Sequence, residues 1–252
     1  MELGLKDKVV LITGASRGIG KTIAEAFAAE GAVLVLNDIL SEVLRATVEE
    51  FRARGIRAYG YVFDITDQDA VREGVERIER EAGPISVLVN NAGLQKRYPL
   101  EKFPVEVWRQ VVEVDLTGAF IVSQAVAKGM IARGVGKIIS ITSINAELVR
   151  ETISAYCAAK GALKNLTKSM ATEWGAYGIN ANAIGPGYIK TDIDAELASR
   201  REFDEWVKSE VPLRRWGKKE EVASVAVFLA SDGASYINGQ TIYVDGGWQA
   251  CL

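Results

Sequence analysis

The sequence predicts an α/β fold of the doubly wound type, in which helices cover both faces of a parallel sheet. Short, continuous apolar runs alternate with amphipathic stretches along almost the whole chain. Apolar runs without polar alternation are typical of strands that are buried on both faces. No internal repeat, low-complexity tract or linker interrupts the pattern. We therefore expect a single domain over residues 1–252, with about seven strands.

Each strand is predicted from a run rich in Val, Ile or Leu, and each helix from an amphipathic stretch between such runs. Gly31 and Gly55 are typical helix stops, while Ser41, and Thr66 or Asp67, are typical helix caps. The predicted strands are 9–12, 32–37, 56–63, 85–89, 137–141, 179–184 and 241–244, and the predicted helices are 19–30, 41–54, 66 or 67 to 82, 105–133, 154–177 and 219–230.

The pattern loosens between residues 190 and 217. We expect this segment to form a substrate lid, because loops that close over substrates often combine a helix with mobile ends. Trp206 and Trp216 would give the lid an apolar underside, and packing onto a partner subunit explains these two residues equally well.

Composition and charge exclude several classes of protein. The net charge is −3 and there is no long basic run, so we expect no nucleic-acid partner. The N-terminus has no apolar signal core, and no apolar stretch approaches the ~18 residues of a membrane span, so we expect a cytoplasmic protein without a membrane partner. The absence of histidine removes Ser-His-Asp and Cys-His mechanisms and histidine metal sites. Cys157 and Cys251 lack metal-ligand spacing, and we expect no metal.

Tyr156 and Lys160 form the most informative pair in the chain. If they lie on one helix, their spacing of four residues puts both side chains on one face. Lowering the pKa of a phenol from ~10 to ~7 takes about 4 kcal/mol, and one charge at about 4 Å supplies that amount at an effective dielectric constant near 20. A tyrosine tuned in this way can act as a general acid or base near neutral pH.

A second tyrosine and lysine with the same spacing, Tyr98 and Lys102, show that spacing alone is weak evidence. Tyr98 is followed by a proline, and we interpret it as part of a loop. The pair at 156 and 160 differs because Ser143 ends an apolar strand thirteen residues earlier, where its hydroxyl can hold the same oxygen in place.

A glycine-rich turn joins the first strand to the first helix, in the sequence Thr13-Gly-Ala-Ser-Arg-Gly-Ile-Gly20. Glycines at this position let the backbone approach a pyrophosphate, which the helix N-terminus then stabilises. Asp38, at the end of the second strand, can accept hydrogen bonds from a ribose 2′-hydroxyl and would repel a 2′-phosphate. We therefore expect NAD(H) to be preferred, without excluding NADP(H), because Arg17 in the loop could meet a phosphate.

Taken together, these motifs resemble the short-chain dehydrogenase/reductase family. The matching residues are the loop at 13–20, Asn90-Asn-Ala-Gly93 after the fourth strand, Ser143, Tyr156-x-x-x-Lys160, and Pro186-Gly187 before Thr191. The resemblance spans nearly the whole chain. It implies a seven-stranded Rossmann-type sheet, usually in a homotetramer, with NAD(P) bound across the carboxyl ends of the strands.

The resemblance also implies a role for each matching residue. Tyr156 would be the acid–base residue, Ser143 would steady the substrate oxygen, and Lys160 would also bind the nicotinamide ribose. The other implied cofactor-binding residues are Gly14, Ser16, Arg17, Gly18, Ile19 and Gly20 in the loop, Asp38, Asp64 and Ile65 near the adenosine, Asn91 and Gly93 near the ribose, and Pro186, Gly187, Ile189 and Thr191 near the nicotinamide.

Asp115 departs from the family pattern, which usually has asparagine there. The family residue acts largely through its backbone carbonyl and a water that leads to the lysine. We expect Asp115 to be a relay residue of the catalytic set, although a buried carboxylate could instead shift the proton balance of Lys160.

The substrate is expected to be a sugar acid. Segments 91–97, 147–152, 188–192 and 215–217 resemble those of family members that act on sugar acids such as gluconate and 5-ketogluconate. Arg150 lies between Ser143 and Tyr156, where a guanidinium can grip a carboxylate with two hydrogen bonds. Tyr188 is a further candidate for contact with the substrate. The alternative for Arg150 is a surface arginine in a loop.

Two other functions remain open. The enzyme could reduce a different carbonyl, such as a 3-oxoacyl thioester or a small ketone, but the sequence shows no clear basic rim for an acidic carrier. A nucleotide-binding protein without turnover is the other alternative. The presence of Ser143, Tyr156 and Lys160 argues against it, and only Asp115 favours it.

Overall fold

A seven-stranded parallel sheet organises the chain, in the order β3-β2-β1-β4-β5-β6-β7. The computed structural model describes residues 3–191 and 200–251. The strands are β1 Val9–Thr13, β2 Val33–Asp38, β3 Ala58–Val62, β4 Ile85–Asn90, β5 Gly136–Ile141, β6 Ile179–Pro186 and β7 Thr241–Val244, all within two residues of the predicted bounds. The expected doubly wound α/β fold is therefore confirmed.

Two apolar cores hold helices against the two faces of this sheet. The helices are α1 Gly18–Ala29, α2 Ser41–Ala53, α3 Gln68–Glu81, α4 Val105–Val112, α5 Ala119–Arg133, α6 Ser154–Trp174, α7 Arg201–Glu210 and α8 Lys219–Ala230. One core packs α1, α2 and α8 on the sheet through residues such as Phe27, Phe51 and Val222. The other packs α3, α5 and α6 through residues such as Ile78, Val126 and Met170.

The strand order reverses direction at β1, which pairs with β2 on one side and with β4 on the other. In open parallel sheets, the crevice at the carboxyl ends of the strands on either side of such a reversal is the usual place for a ligand. The glycine-rich turn after β1, Asp38 at the end of β2 and Asn91 after β4 all lie at this edge.

The predicted helix 105–133 contains an irregular turn that sequence periodicity did not reveal. A π-helical turn, Glu113–Gly118, separates α4 from α5. Such insertions are rare in helices and are frequent at functional sites, because they redirect one side chain without ending the helix. Here the redirected turn carries Asp115.

One of the two expected helix caps is confirmed and the other is not. Asp67 caps α3 as expected, accepting hydrogen bonds from the backbone amides of Asp69 and Ala70. Ser41 is instead the first residue of α2, and its side chain makes no capping hydrogen bond. The predicted helix 154–177 ends as an α-helix at Trp174 and continues as one 3₁₀ turn, Gly175–Tyr177.

Among the residues that the structure describes, one helical segment, Val105–Arg133, is long and apolar enough to cross a membrane by length and composition alone. No segment of this kind is expected from the sequence pattern. The segment has 29 residues, and polar residues interrupt its apolar ones. Val122, Val126 and Met130 of this segment are fully buried against the sheet. The burial explains its apolar character as that of a core helix.

Candidate active site

The glycine-rich loop has the backbone geometry that a phosphate-binding turn requires. Gly14 adopts a left-handed conformation with φ +61°, and a Cβ there would lie 2.8 Å from the Ala92 Cα atom. Gly18 also has a positive φ, and no atom lies within 4 Å of a Cβ added to it. This open space in front of α1 can admit a pyrophosphate. Arg17 is exposed beside it, whereas Ser16 and Gly20 are buried.

Asn91 holds this loop against the end of β4. Its side-chain amide donates hydrogen bonds to the carbonyl oxygens of Thr13 and Gly14, both at 2.9 Å. The Thr13 hydroxyl in turn accepts hydrogen bonds from the backbone amides of Asn91 and Ala92. The side chain expected near a ribose therefore also fixes the shape of the turn.

Asp38 faces the same loop from the end of β2. Its Oδ2 atom accepts hydrogen bonds from the backbone amide of Ser16, at 3.2 Å, and from the Ser16 hydroxyl. Its Oδ1 atom accepts the amide of Leu40. The carboxylate is partly exposed, so it presents a fixed negative charge at the edge of the crevice.

Asp64 and Ile65 follow β3, and they point in different directions. Asp64 is exposed and accepts hydrogen bonds from the amide and the hydroxyl of Thr66. Ile65 is 6% exposed, and a Cβ on Gly118 would lie 2.7 Å from its side chain. The side chain of Ile65 thus packs in the core beneath the π-helical turn.

Ser143 directly follows the turn that leaves β5 and is mostly buried. Its hydroxyl accepts a hydrogen bond from the backbone amide of Asn145 at 3.1 Å. The segment Ile144–Ala146 forms a short 3₁₀ helix with Ser143 as its cap. This geometry orients the hydroxyl at the carboxyl edge of the sheet.

Tyr156 and Lys160 lie one turn apart on α6, as their spacing predicts. The Lys160 ammonium nitrogen lies 5.5 Å from the centroid of the Tyr156 ring and donates a hydrogen bond to the carbonyl of Ile141 at 3.0 Å. Tyr98, the alternative tyrosine, lies in a loop, and its ring packs on Phe103. The structure thus brings Tyr156, Lys160 and the end of β5 together.

Lys160 lowers the pKa of Tyr156 as expected, but the net shift of this pKa is upward rather than toward neutrality. Burial raises the pKa of the Tyr156 phenol above its ordinary value, more than the Lys160 charge and a hydrogen bond with Ser143 lower it, and Asp115 raises it further. One unshared charge at about 4 Å would be enough to lower this pKa, but the Lys160 ammonium also faces the carbonyl of Ile141 and the carboxylate of Asp115. Tyr156 therefore keeps its proton at neutral pH and can donate it.

Asp115 forms a buried ion pair with Lys160. Its Oδ2 atom lies 3.6 Å from the ammonium nitrogen, and its Oδ1 atom accepts the amide of Leu94. Burial raises the pKa of the Asp115 carboxyl, against the lowering effects of Lys160 and of the Leu94 amide. A Cβ on Gly93 would lie 3.4 Å from both charged groups, so the Asn-Ala-Gly turn leaves room for the pair.

The segment after β6 lies where a nicotinamide is expected. Gly187 donates its amide to the carbonyl of Val244 at 2.9 Å, and Ile189 bridges to Gly217 and is 4% exposed. Pro186 ends β6. Thr191 is the last described residue before 192–199, so the predicted lid at 190–217 lies partly outside the described residues.

Arg150 lies in an aromatic cluster, which we define as Tyr188, Phe203, Trp206, Trp216 and Trp248. Its Nη1 atom donates a hydrogen bond to the Tyr188 hydroxyl at 2.9 Å, and its guanidinium carbon lies 4.8 Å from the Phe203 ring and 5.4 Å from the Trp206 ring. Within residues 3–191 and 200–251, no carboxylate forms an ion pair with Arg150. An arginine in such surroundings is suited to binding an anion.

A cavity of ≈ 400 Å³ connects Arg150 to the loop that follows Ser143. Its lining residues are mostly apolar or aromatic, and they include Asn145, whose amide binds Ser143. Sequence reasoning missed Phe203, Trp248 and Asn145 as members of this site. Trp248 stands about a hundred residues from Arg150 in the chain, and the folded structure brings it there, where it stacks on Tyr188 at 4.9 Å between ring centroids.

Comparison with known proteins is consistent with this geometry. The family model described as enoyl-(acyl carrier protein) reductase matches residues 14–249. Gluconate 5-dehydrogenase of Gluconobacter oxydans is 48% identical over 94% of this chain and 93% of its own length. The 5-keto-D-gluconate 5-reductase of Escherichia coli is 42% identical over 96% of both chains.

One solved structure extends the comparison to three dimensions. A gluconate 5-dehydrogenase of Burkholderia cenocepacia, in complex with NADP and tartrate, is 43% identical and superposes with a TM-score of 0.95 over 98% of this chain and 97% of its own.

The fold and the site define an oxidoreductase that uses a nicotinamide cofactor and acts on hydroxyl or keto groups. The chain belongs to the short-chain dehydrogenase/reductase family, within the group that the enoyl-(acyl carrier protein) reductase model describes. The alternative of a nucleotide-binding protein without turnover is therefore not supported.

Proposed function

We propose that this protein interconverts the hydroxyl and keto forms of a sugar acid, with gluconate and 5-ketogluconate as the leading pair. The observation that carries this proposal is Arg150, a cation that lines the cavity beside the Ser143 loop without a carboxylate partner among the described residues. A sugar acid supplies the missing carboxylate. The names of the relatives and the tartrate bound to one of them support the same substrate class.

Each residue of the site has a separate role in this proposal. Arg150 and the Tyr188 hydroxyl bind the carboxylate end, and Ser143 holds the reacting oxygen. Tyr156 donates a proton to that oxygen during reduction and accepts it back during oxidation. Lys160 keeps a positive charge near the phenol, and Asp115 balances that charge inside the protein. When it is bound, the nicotinamide cofactor supplies or accepts the hydride.

Four groups of residues fit the cofactor. The open space at Gly18 and the helix N-terminus suit a pyrophosphate, with Ser16, Arg17 and Ile19 around it. The adenosine end is assigned to Asp38 and Asp64, and to Ile65 through its backbone alone, because the Ile65 side chain packs in the core. The ribose is assigned to Asn91 and Lys160, and the nicotinamide to Pro186, Gly187, Ile189 and Thr191.

We infer a preference for NAD(H), with NADP(H) also accepted. The fixed carboxylate of Asp38 favours a free 2′-hydroxyl and repels a 2′-phosphate. The exposed Arg17 and the NADP bound to a 43% identical relative support acceptance of the phosphorylated form. The opposing effects of the Asp38 carboxylate and the Arg17 guanidinium set the ratio of kcat/KM for NAD to that for NADP.

A second candidate function is the reduction of a 3-oxoacyl thioester or another ketone. It is favoured by the cavity lining, in which Ile144, Leu148, Val149 and four aromatic rings outnumber the polar groups. An acyl chain would pack against the apolar side chains of this cavity. A sugar acid would instead bind Arg150 through its carboxylate and pack its C–H groups on the aromatic rings.

We further propose a single catalytic domain that works in the cytoplasm as a homotetramer, with residues 190–217 as a substrate lid and without a membrane or nucleic-acid partner. Exposed apolar side chains near the last strand, among them Leu213, Phe228 and Tyr236, support self-association. Light scattering of the purified protein measures the subunit number, and a monomer would contradict the tetramer.

The decisive experiment is a substrate panel of polyols, sugar acids and β-keto compounds, followed through the absorbance of the reduced cofactor. We expect gluconate and 5-ketogluconate to give the highest kcat/KM. Strong activity with 3-oxoacyl thioesters or neutral ketones, without activity on sugar acids, would establish the second candidate instead.

A further inference from the structure

The loop of residues 144–153 carries Arg150 and joins Ser143 to the helix of Tyr156, and one acidic side chain ties it to the rest of the protein. Glu147 Oε1 accepts a hydrogen bond from the Tyr243 hydroxyl at 2.8 Å. The same oxygen accepts a hydrogen bond from the Lys164 ammonium. Glu147 belongs to the segment 147–152 that the sequence analysis compared with sugar-acid enzymes, but the proposed function gives this residue no role.

The two partners of Glu147 come from different elements. Tyr243 lies on β7, near the C-terminus, and Lys164 lies on α6, one turn beyond Lys160. Side-chain hydrogen bonds from Lys164 and from Tyr243 hold the pKa of Glu147 below its ordinary value. Burial and the hydrogen bond to Glu147 hold the pKa of Tyr243 above its ordinary value, so the phenol stays protonated and donates.

Tyr243 also lies against the strand that leads to the nicotinamide segment. It pairs in register with Gly185 of β6, where any larger residue would collide with the tyrosine ring. Gly185 stands just before Pro186 and Gly187. The Glu147 carboxylate therefore connects the end of β6, through Tyr243, to the loop that holds Ser143 and Arg150.

Hydrogen bonds within the loop couple the position of Glu147 to the two residues that line the cavity, Asn145 and Arg150. The backbone amides of Glu147 and Leu148 both donate to the carbonyl of Ile144, and the Asn145 side chain donates to the carbonyl of Leu148 at 3.2 Å. At the far end, Thr152 has a left-handed φ of 70° and accepts the amide of Tyr98. Movement of Glu147 would thus displace Asn145 and Arg150.

We propose that Glu147 is a positioning residue: it holds the Arg150 loop at a fixed distance from the nicotinamide end of β6, through Tyr243. Its role is to set the affinity for the anionic end of the substrate. This inference rests on the proposed function for the identity of the substrate. The positioning of the Arg150 loop by Glu147 can be tested by ligand binding, without turnover.

The kinetic test compares Glu147→Ala, Tyr243→Phe and the double variant. We expect each single variant to raise the KM for gluconate by about tenfold, the effect of losing one charge-assisted hydrogen bond. The cofactor Kd should be unchanged and kcat should change by less than about twofold, because no catalytic group is removed. The double variant should be no worse than Glu147→Ala, since both changes break one link.

Matched controls are Glu173→Gln, an exposed glutamate on the same helix as Lys164, and Tyr177→Phe, an exposed tyrosine. Both should behave as wild type. A loss of kcat with an unchanged KM, or single effects that add fully in the double variant, would overturn the positioning role.

A binding test separates this inference from the proposed function. Tartrate is titrated into the wild-type protein and its variants while tryptophan fluorescence is recorded, since Trp206 and Trp248 line the cavity of Arg150. We expect weaker tartrate binding in both single variants, whether or not gluconate is the natural substrate. Equal binding in all proteins, or no binding to the wild type, would overturn the inference. Absence of gluconate turnover with weakened tartrate binding would instead overturn only the proposed substrate.

Discussion

The carboxylate of Asp115 lies 3.6 Å from the ammonium of Lys160, and both side chains are almost completely buried. The π-helical turn between α4 and α5 places Asp115 there, and the Asn-Ala-Gly turn after β4 leaves space for the pair. Removing one partner of a buried ion pair is costly, because it leaves the other charge buried without compensation. The proton transfer that we propose for Tyr156 would therefore take place beside an ion pair between Lys160 and Asp115.

Asp115→Asn should change the pH dependence of the reaction rather than abolish it. The asparagine oxygen can still accept the Leu94 amide, but it leaves Lys160 without a counter-ion. Because Asp115 raises the pKa of Tyr156, its neutralisation should lower that pKa and shift the pH profile of kcat/KM toward acid.

The control for this variant is Asp232→Asn, a surface carboxylate, which should leave the profile unchanged. An unshifted profile for Asp115→Asn would remove Asp115 from the proton chemistry. Thermal unfolding should also show a lower Tm for Asp115→Asn, since removing one partner of a buried pair costs about 3–5 kcal/mol when nothing compensates.

Tyr156→Phe should lower kcat for both directions by at least about a hundredfold, the usual contribution of a general acid or base. The cofactor should still bind with nearly wild-type affinity, because the phenyl ring retains the packing. Steady-state kinetics and titration of NADH fluorescence measure the two effects. Activity above a few per cent of the wild type would show that another group transfers the proton.

The raised pKa of Tyr156 predicts opposite pH trends for the two directions. Reduction needs the protonated phenol, so its rate should be constant through neutral pH and fall as the pH rises through the pKa of Tyr156. Oxidation needs the deprotonated phenol and should accelerate over the same range. A reduction rate that already falls between about pH 6 and 7, near the value that a strongly tuned phenol would have, would contradict the raised pKa.

Asp38→Ala should shift the cofactor ratio toward NADP(H). Removing the carboxylate removes its repulsion of a 2′-phosphate and its hydrogen bonds to the ribose. Arg17→Gln should shift the ratio in the opposite direction, which makes the two variants controls for each other. The ratio of kcat/KM for NAD to that for NADP is the measurement, and an unchanged ratio in Asp38→Ala would refute the assignment.

Arg150→Met should raise the KM for gluconate by about ten- to a hundredfold, as expected when a charged hydrogen-bonding partner is lost. The methionine preserves packing against the aromatic cluster, so stability should change little. Arg72→Met, on the exposed surface of α3, is the matched control. An unchanged KM would mean that Arg150 serves only to hold the aromatic cluster.

Much of the fold and the reacting centre could be predicted because their signals are local. Continuous apolar runs indicated buried parallel strands, and the loop at 13–20 indicated the nucleotide end. The i to i+4 spacing placed Tyr156 beside Lys160. Each inference used residues that are neighbours along the chain, where backbone geometry alone dictates which side chains meet.

The remaining features depend on contacts between distant segments. The pKa of Tyr156 moved in the direction opposite to the prediction, because burial depends on everything packed around the phenol. Trp248 reaches the Arg150 cavity from the C-terminus, and Tyr243 reaches Glu147 across 96 positions. No periodicity in one segment can reveal such a partner in another.

The sequence by itself determined the class of fold, the glycine-rich turn after the first strand and the placement of Tyr156 beside Lys160, since these follow from local spacing. Only the tertiary structure decided the charge balance at Asp115, Lys160 and Tyr156 and the walls of the substrate cavity. Desolvation and long-range packing control those properties, and both arise only when the chain is folded.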